Sequence, residues 1–296
     1  MSSIGPILVF LANGTQGSAV VRAAERRGHR VRALVRAELT GEPSRARPFA
    51  IGDLDDAASL AAAAQGCTHS VLQVPTASQA IMVGQAARAL DALRGAQIRS
   101  LVLKLASASR SETFAEPSFA ANAAVEALVR GAGIPFSILR PTLYLDNLLK
   151  PSARADIAER GLFSPPIASG QRVAWTSTDD CAEAAILLLE RGSHGGDYLI
   201  AGLESVDGEG LAARLSKALG KPIRYRAEPV ERFESEVDAA LGPGIGRQVA
   251  SKFRYFRDHP DEADRILAGA YRPGSLPGFA PTSIEAWVSK RRELFG

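Results

Sequence analysis

Short apolar runs alternate with stretches of helical periodicity through the first half of the chain. Apolar runs that end at glycine, proline or charged residues predict six strands, at residues 7–12, 31–35, 49–51, 70–74, 100–106 and 136–139. Apolar spacings of three and four residues predict helices between them, at residues 19–26, 57–65, 79–93 and 119–131. Because strands separated by helices run parallel through right-handed crossovers, we predict an α/β fold, a Rossmann-type doubly wound parallel sheet with helices on both faces.

The segment between the first predicted strand and the first predicted helix has the composition of a phosphate-binding turn: Asn13, Gly14, Thr15, Gln16 and Gly17. The N-terminus of the following helix offers free N–H groups and the positive end of its dipole to an anion. Gly14 would let a pyrophosphate approach the backbone, and Gly17 would let the helix pack closely against the strand. This position predicts a dinucleotide site; a tight strand-to-helix turn without a ligand is the alternative.

The second predicted strand ends in a basic residue, Arg36, where a protein that binds a ribose 2′-hydroxyl carries an acidic one. A guanidinium that pairs with a 2′-phosphate contributes about 1.5–3 kcal/mol, so Arg36 predicts NADPH as the cofactor; a solvated loop arginine is the alternative. Asp53, after the third strand, either borders the adenine or caps the following helix. The other residues expected along the dinucleotide cleft are Leu54, Gln73, Val74, Pro75 and Pro141.

The alternation becomes irregular after about residue 150. Short strands are predicted at residues 172–175 and 198–201, and helices at residues 180–189, 208–219, 230–241 and 248–257. We therefore predict a dinucleotide-binding domain over residues 1–150 and a smaller, mostly helical, substrate-covering portion over residues 151–296, interleaved with the sheet. The last two predicted helices either roof an aromatic substrate or form the core of a small helical domain, because they carry Phe233, Phe253, Tyr255 and Phe256.

Composition narrows the class of protein. With 46% hydrophobic and 23% charged residues, the chain has the balance of a globular protein, which excludes a disordered one. The longest apolar runs have six residues, against the roughly 20 of a membrane span, and the N-terminus lacks a signal peptide's basic region, so we expect a cytoplasmic protein. A formal charge of +3 without a basic block, with 6% aromatic residues, argues against nucleic-acid binding. The two cysteines and four histidines share no ligand spacing, so no metal is predicted.

Several short motifs together resemble the NmrA-like branch of the atypical short-chain dehydrogenase/reductases. They are the turn at residues 13–17, residues 31–36, Gly52-Asp53-Leu54, Ala124-Val125-Glu126, Gly133-Ile134-Pro135, and Ile138-Leu139-Arg140-Pro141 with Asn147-Leu148. The resemblance covers most of the chain and implies a Rossmann-type fold. It leaves two functions open, because the family includes NADPH-dependent reductases of quinones and aromatic compounds and also proteins that sense the nucleotide and bind a regulatory partner.

The chain departs from that family's pattern at three points. Leu11 stands at the first glycine of the turn, which implies a slightly altered approach to the phosphates. None of the five tyrosines precedes the helix predicted from residue 119, and Asn122 takes the place of a lysine early in that helix. The Tyr-x-x-x-Lys acid of ordinary short-chain dehydrogenases is therefore not predicted.

Three polar side chains are candidates for the reacting end of the site. Ser107, after the fifth strand, lies where the related enzymes place a catalytic serine and could bind a carbonyl oxygen, or it closes the strand as a turn residue. Asn122 could hold the ribose or orient a water, or it faces solvent. Tyr144 could act as a surrogate acid, or it forms an apolar wall beside the nicotinamide together with Pro141.

The missing acid narrows the substrate class. A positioned general acid contributes about 10²- to 10⁴-fold to carbonyl reduction. Quinones and hydroxy-aryl or polyketide-like ketones lose least without it, because their rings or neighbouring phenols stabilise negative charge. We therefore predict an NADPH-dependent oxidoreductase that reduces such a small aromatic substrate as a monomer or homodimer. A non-catalytic NADP-sensing protein that binds a regulatory partner is the alternative.

Overall fold

The computed structural model describes residues 4–36, 49–110, 116–192 and 195–296. The strands in these segments are β1 (Ile7–Val9), β2 (Val31–Val35), β3 (Phe49–Ile51), β4 (His69–Leu72), β5 (Ser100–Lys104), β6 (Phe136–Pro141), β7 (Leu162–Phe163), β8 (Asp197–Ile200) and β9 (Arg224–Tyr225). Seven of them form a parallel sheet in the order β3-β2-β1-β4-β5-β6-β8, and β7 pairs with β9. This is the predicted doubly wound α/β fold, whose strand order reverses between β1 and β4.

The helices are α1 (Thr15–Arg26), α2 (Ala57–Ala64), α3 (Gln79–Gly95), α4 (Pro117–Gly131), α5 (Pro151–Arg160), α6 (Thr178–Glu190), α7 (Gly208–Leu219), α8 (Val230–Leu241), α9 (Ile245–Asp258), α10 (Pro260–Leu267) and α11 (Ile284–Ser289). Short 3-10 helices span Leu145–Leu149 and Arg292–Phe295. Within the described segments, none of these helices combines the length and the apolar character that crossing a membrane requires.

Alternate residues of the central strands enter two hydrophobic clusters, one on each face of the sheet. Ile7 and Val9 pack in the cluster that contains α1 and α6, whereas Leu8 packs in the cluster that contains α2, α3 and α4. Both sides of the strands are therefore buried, which explains why they read as continuous apolar runs in the sequence. A third cluster, which includes the fully buried Trp287, joins the segments after β6 to Ala108 and to Phe119 of α4.

The structure differs from the predicted elements mainly after residue 150. The strand predicted at residues 172–175 is wrong, because backbone bonds there go to separate partners: Val173 pairs with Val206, while the Ala174 N–H donates to the Leu267 carbonyl oxygen at 2.8 Å. Helices α5, α10 and α11 are absent from the prediction. Strand β8 follows residue 150 in the sequence but adds to the main sheet beside β6.

A buried ion pair fastens α4 to β6. The Arg140 guanidinium donates to both carboxylate oxygens of Glu126, with Nη1 2.6 Å from Oε1, and both side chains are buried. Asp197 of β8 lies 3.4 Å from Arg140 and forms a second ion pair with Arg130, at 2.7 Å. Burial raises the pKa of Glu126, and the neighbouring guanidinium of Arg140 opposes that rise. These charges tie the edge of the sheet to the helix that covers it.

Candidate functional site

The turn before α1 leaves the N-terminus of that helix open. Gly14 is the N-cap residue, no side chain caps the helix, and its first turn carries no acidic residue. Asn13, Gly14 and Thr15 are exposed. An uncapped helix N-terminus presents N–H groups and a partial positive charge, so the geometry of the turn suits a pyrophosphate.

Leu11 and Gly17 set how closely the turn packs. Leu11 has a φ of 52°, in the left-handed region, which costs a non-glycine residue about 1–2 kcal/mol. The leucine thus keeps a backbone conformation that a glycine would favour at this position. A Cβ at position 17 would lie 2.0 Å from the Leu11 carbonyl oxygen, so only glycine lets α1 begin this close to the end of β1.

Arg36 and Asp53 lie at the carboxyl ends of β2 and β3, the edge of the sheet that also holds the turn. Both side chains are exposed, which fits contacts with an external ligand. Asp53 does not cap α2, because that role belongs to Asp56, whose carboxylate accepts the Ala58 N–H at 3.0 Å. Asp53 instead accepts the Asp55 N–H at 2.9 Å and turns the chain after β3.

The other residues predicted along the cleft occupy different environments. Leu54 and Val74 are buried in the hydrophobic cluster with α2 and α3, shortly after β3 and β4 respectively, and their place along the dinucleotide cleft stays a prediction. Gln73 is also buried, and its Nε2 donates to the Phe10 carbonyl oxygen at 3.0 Å. This bond joins the ends of β1 and β4 where the strand order reverses. Pro75 is exposed.

A cavity of about 760 Å³ opens beyond the carboxyl ends of β5 and β6. The turn contributes Thr15 and Gln16 to its wall, and the segments after β5 and β6 contribute Ser107 and Tyr144. Pro141 is buried as the last residue of β6, three residues before that tyrosine. Four aromatic side chains complete the wall: Phe163, Trp175, Phe233 and Phe253. The size and the aromatic walls suit a small organic ligand.

The aromatic side chains of α8 and α9 divide between the two predicted roles. Phe233 and Phe253 line the cavity, and their rings meet edge to face with centroids 5.2 Å apart. Phe256 is buried in the third hydrophobic cluster, and Tyr255 packs edge-on against Phe119. The two helices therefore both cover the cavity and form part of the core.

Tyr144 is held by a buried lysine at the end of β5. The Lys104 ammonium donates to the Tyr144 hydroxyl at 3.0 Å and to Gln16 Oε1, which also accepts the Tyr144 hydroxyl at 3.3 Å. The Gln16 amide donates to the Ala106 carbonyl oxygen at 2.9 Å. Burial lowers the pKa of Lys104 to about 8 and raises the pKa of Tyr144 well above its usual value. The raised pKa makes this phenol a weaker acid, and its hydroxyl donates to Gln16 inside the network, so the geometry favours the apolar wall over the surrogate acid.

Ser107 contacts a second buried lysine, which comes from the other half of the chain. Lys252 of α9 donates from Nζ to Ser107 Oγ at 2.6 Å and to the Ala108 carbonyl oxygen at 2.8 Å. Burial lowers the pKa of Lys252 to about 8. Both side chains line the cavity.

Neither lysine belongs to the predicted site, and one predicted residue lies outside the cavity. Asn122 is buried in α4, so it does not face solvent, and it is not part of the cavity wall. Lys252 carries a signal in the sequence, because it follows Val249 by three residues and precedes Phe256 by four, on the apolar face of α9. Lys104 interrupts the apolar run at residues 100–106. A lysine at an apolar position is seldom buried without a function or a partner.

The described residues fit a nicotinamide dinucleotide. The open N-terminus of α1 would face the pyrophosphate, and Arg36 would face a 2′-phosphate. A Cβ on Gly14 would stay 3.4 Å from the nearest protein atom, so packing does not require this glycine, and its lack of a side chain leaves the space beside the backbone open to a ligand. Ser107 and Tyr144 line the same cavity as Thr15 and Gln16 of the turn.

Comparison with known proteins identifies the family. The NmrA-like family matches residues 5–287. The chain is 28% identical over 249 residues to the NAD(P)H azoreductase of Xenophilus azovorans, covering 82% of this chain and 83% of that protein. It is similar to the structure of the NADPH-dependent quinone oxidoreductase of Escherichia coli complexed with NADPH, with a TM-score of 0.75, 21% identity, and coverage of 96% of this chain and 99% of that one. The negative transcriptional regulator NmrA, in complex with NAD, has a TM-score of 0.71, 18% identity, and coverage of 99% of this chain and 96% of that one. The match across nearly the whole sequence shows that this protein belongs to the NmrA-like family.

Proposed function

We propose that this protein is an NADPH-dependent oxidoreductase that transfers a hydride to the carbonyl of a quinone or of a hydroxy-aryl or polyketide-like ketone. The observation that carries the proposal is one continuous cavity, in which Thr15 and Gln16 of the turn share a wall with Phe233 and Phe253. A dinucleotide held at the turn would reach an aromatic acceptor in this space. The azoreductase and quinone oxidoreductase relatives support a redox function.

The side chains of the cavity have distinct parts in such a reaction. Bound NADPH supplies the hydride, and the protein supplies orientation and electrostatic stabilisation. Ser107 binds the substrate's carbonyl oxygen through its hydroxyl at the cavity wall. Lys104 fixes the ring of Tyr144 beside it. Phe233 and Phe253 enclose the acceptor and exclude water.

The aromatic walls predict a preference among acceptors. Burying a ring of the substrate against them contributes about 1.5–3 kcal/mol, so kcat/KM for quinones and hydroxy-aryl ketones should exceed that for aliphatic ketones by about 10- to 100-fold. Steady-state NADPH oxidation, followed by absorbance with matched concentrations of the three acceptor classes, measures this ratio. Equal efficiency with an aliphatic ketone would contradict the proposed substrate class.

Arg36→Ala should weaken NADPH binding by about 10- to 100-fold and leave NADH binding unchanged, because only NADPH carries the 2′-phosphate. Calorimetric titration of both cofactors measures the two dissociation constants. Arg30→Ala is the matched control, since this arginine is exposed before the other end of β2 and should leave both constants unchanged. If Arg36→Ala lost the same affinity for NADPH and for NADH, Arg36 would not be the residue that binds the 2′-phosphate.

Nucleotide sensing without turnover is the second candidate function. It is favoured by the NmrA regulator, which shares the fold and was solved with NAD. The two candidates differ in one property, because a sensor would bind NADPH and keep it reduced in the presence of any aromatic acceptor.

A further inference from the structure

We propose that Lys252 and Ser107 together form the proton donor of this site, with Lys252 as the acid and Ser107 as the hydroxyl that passes a proton to the substrate. This inference rests on the proposed reductase function. It assigns the proton source to a lysine in the second half of the chain, in place of the missing Tyr-x-x-x-Lys pair.

The geometry directs a proton into the cavity. The Lys252 ammonium donates to Ser107 Oγ at 2.6 Å, so a lone pair of that oxygen faces the lysine and the serine's own O–H points away from it. Ser107 lines the cavity, which places this O–H within reach of a bound carbonyl oxygen. The Ala108 carbonyl oxygen and the ring of Phe119, whose centroid is 5.3 Å from Nζ, hold the ammonium in place.

The electrostatic surroundings suit an acid. Lys252 is 6% exposed, and its described contacts are with neutral groups, so it can lose a proton without breaking an ion pair. Burial lowers its pKa to about 8, and the charge of Glu116, which precedes α4, opposes that shift. The other charged side chains in the cavity wall are Asp146, Lys150, Asp156, Glu228 and Glu236. An acid whose pKa lies near the working pH transfers protons most effectively.

The proposed step balances in atoms and electrons. The carbonyl carbon accepts the hydride with its two electrons, and the π pair of the C=O bond moves onto the oxygen. Ser107 gives its proton to that oxygen and takes one from the Lys252 ammonium, whose N–H bond breaks to leave a neutral amine. The carbonyl is reduced to an alcohol, the dinucleotide is oxidised, and the amine regains a proton from water.

The first test is direct titration of the lysine in the protein without cofactor. In protein that carries ¹³C-labelled lysine, the Cε NMR signal of Lys252, assigned by its absence in Lys252→Arg, should titrate with a midpoint near pH 8. The reference is the ordinary pKa of a lysine side chain, about 10.4. A Lys252 midpoint at that ordinary value would overturn the inference.

The second test separates proton donation from a structural role. Lys252→Met should lower kcat for a hydroxy-aryl ketone by about 100-fold and leave the NADPH dissociation constant unchanged, while a quinone, which stabilises its own negative charge, should lose less than about 10-fold. Lys252→Arg keeps the positive charge but cannot release a proton, so it should not restore the ketone activity. Lys217→Met is the control, because it replaces an exposed lysine of α7. It should have the same kcat and NADPH dissociation constant as the unmodified protein.

The outcomes distinguish the two proposals. Ketone activity that survives in Lys252→Met, or returns in Lys252→Arg, would overturn the role of Lys252 while the reductase function stands. If the unmodified protein oxidised NADPH with none of the acceptors, the proposed reductase function itself would be wrong. In the unmodified protein, kcat for the ketone should fall as the pH rises through about 8, because the ammonium is lost, and this fall should be absent in Lys252→Met.

Discussion

Arg140→Met is expected to destabilise the protein by about 3–5 kcal/mol, because it leaves the buried carboxylate of Glu126 without its main partner. Methionine occupies a comparable volume, so lost packing contributes little. Arg130 also pairs with Glu126, at 3.7 Å, but it is 39% exposed and lies closer to Asp197, at 2.7 Å, so it compensates only in part. Urea unfolding followed by circular dichroism measures the change in the free energy of unfolding.

This loss should depend on pH. Without Arg140, burial raises the pKa of Glu126 further above its unfolded value, so the native state holds a proton that the unfolded state has released. Stability then falls as the pH rises from the unfolded pKa through the folded one. The deficit of the variant should therefore be smaller at acid pH than at neutral pH.

Two variants control this prediction. Glu126→Leu combined with Arg140→Met removes both charges and should recover most of the lost stability. Arg94→Met breaks an ion pair with Asp91 in which both side chains are more than half exposed, and it should cost less than about 1 kcal/mol. Arg140→Met with unchanged stability would show that the buried pair does not hold β6 to α4.

Gly17→Ala should destabilise the protein by about 3 kcal/mol or more, because the added Cβ would lie 2.0 Å from the Leu11 carbonyl oxygen and 2.9 Å from the Ala12 Cα. These are backbone atoms, so no side-chain rotation can relieve the clash, and α1 would have to move away from β1. Urea unfolding measures the loss.

Gly14→Ala is the matched comparison for Gly17→Ala. Its added Cβ would sit 3.4 Å from the nearest protein atom with an ordinary φ of −79°, so stability should change by less than about 1 kcal/mol. NADPH affinity should nevertheless fall, because the methyl group occupies space expected for the pyrophosphate. If Gly14→Ala binds NADPH normally and Gly17→Ala unfolds no more easily, the account of the turn is wrong.

Local patterns predict the first half of the fold well. Strands buried on both faces read as apolar runs, and the helices between them keep one apolar stripe, so periodicity is a strong signal there. Periodicity does not predict helix α5, because Ile157 is its one buried residue and the helix has no apolar stripe. Its ends did carry a signal, since Pro151 occupies the first turn and Gly161 ends the helix in the left-handed conformation.

The chemistry of the site depends on long-range contacts that a pattern does not show. Ser107 and Lys252 are 145 residues apart in the sequence and meet only because α9 folds over the end of β5. Lys104 ends β5 and Tyr144 follows β6 by three residues, and the two meet because β5 and β6 are neighbours in the sheet. Periodicity places each lysine on an apolar face, but only the tertiary structure shows which polar group it binds.

A single-turnover experiment tests the central claim most directly. The protein, loaded with one equivalent of NADPH without oxygen, is mixed with an excess of naphthoquinone while NADPH absorbance is followed by stopped flow. A reductase predicts a first-order loss of the bound NADPH that is much faster than in a mixture without protein. Bound NADPH that stays reduced with the quinone and with hydroxy-aryl ketones would contradict the reductase function and favour nucleotide sensing without turnover.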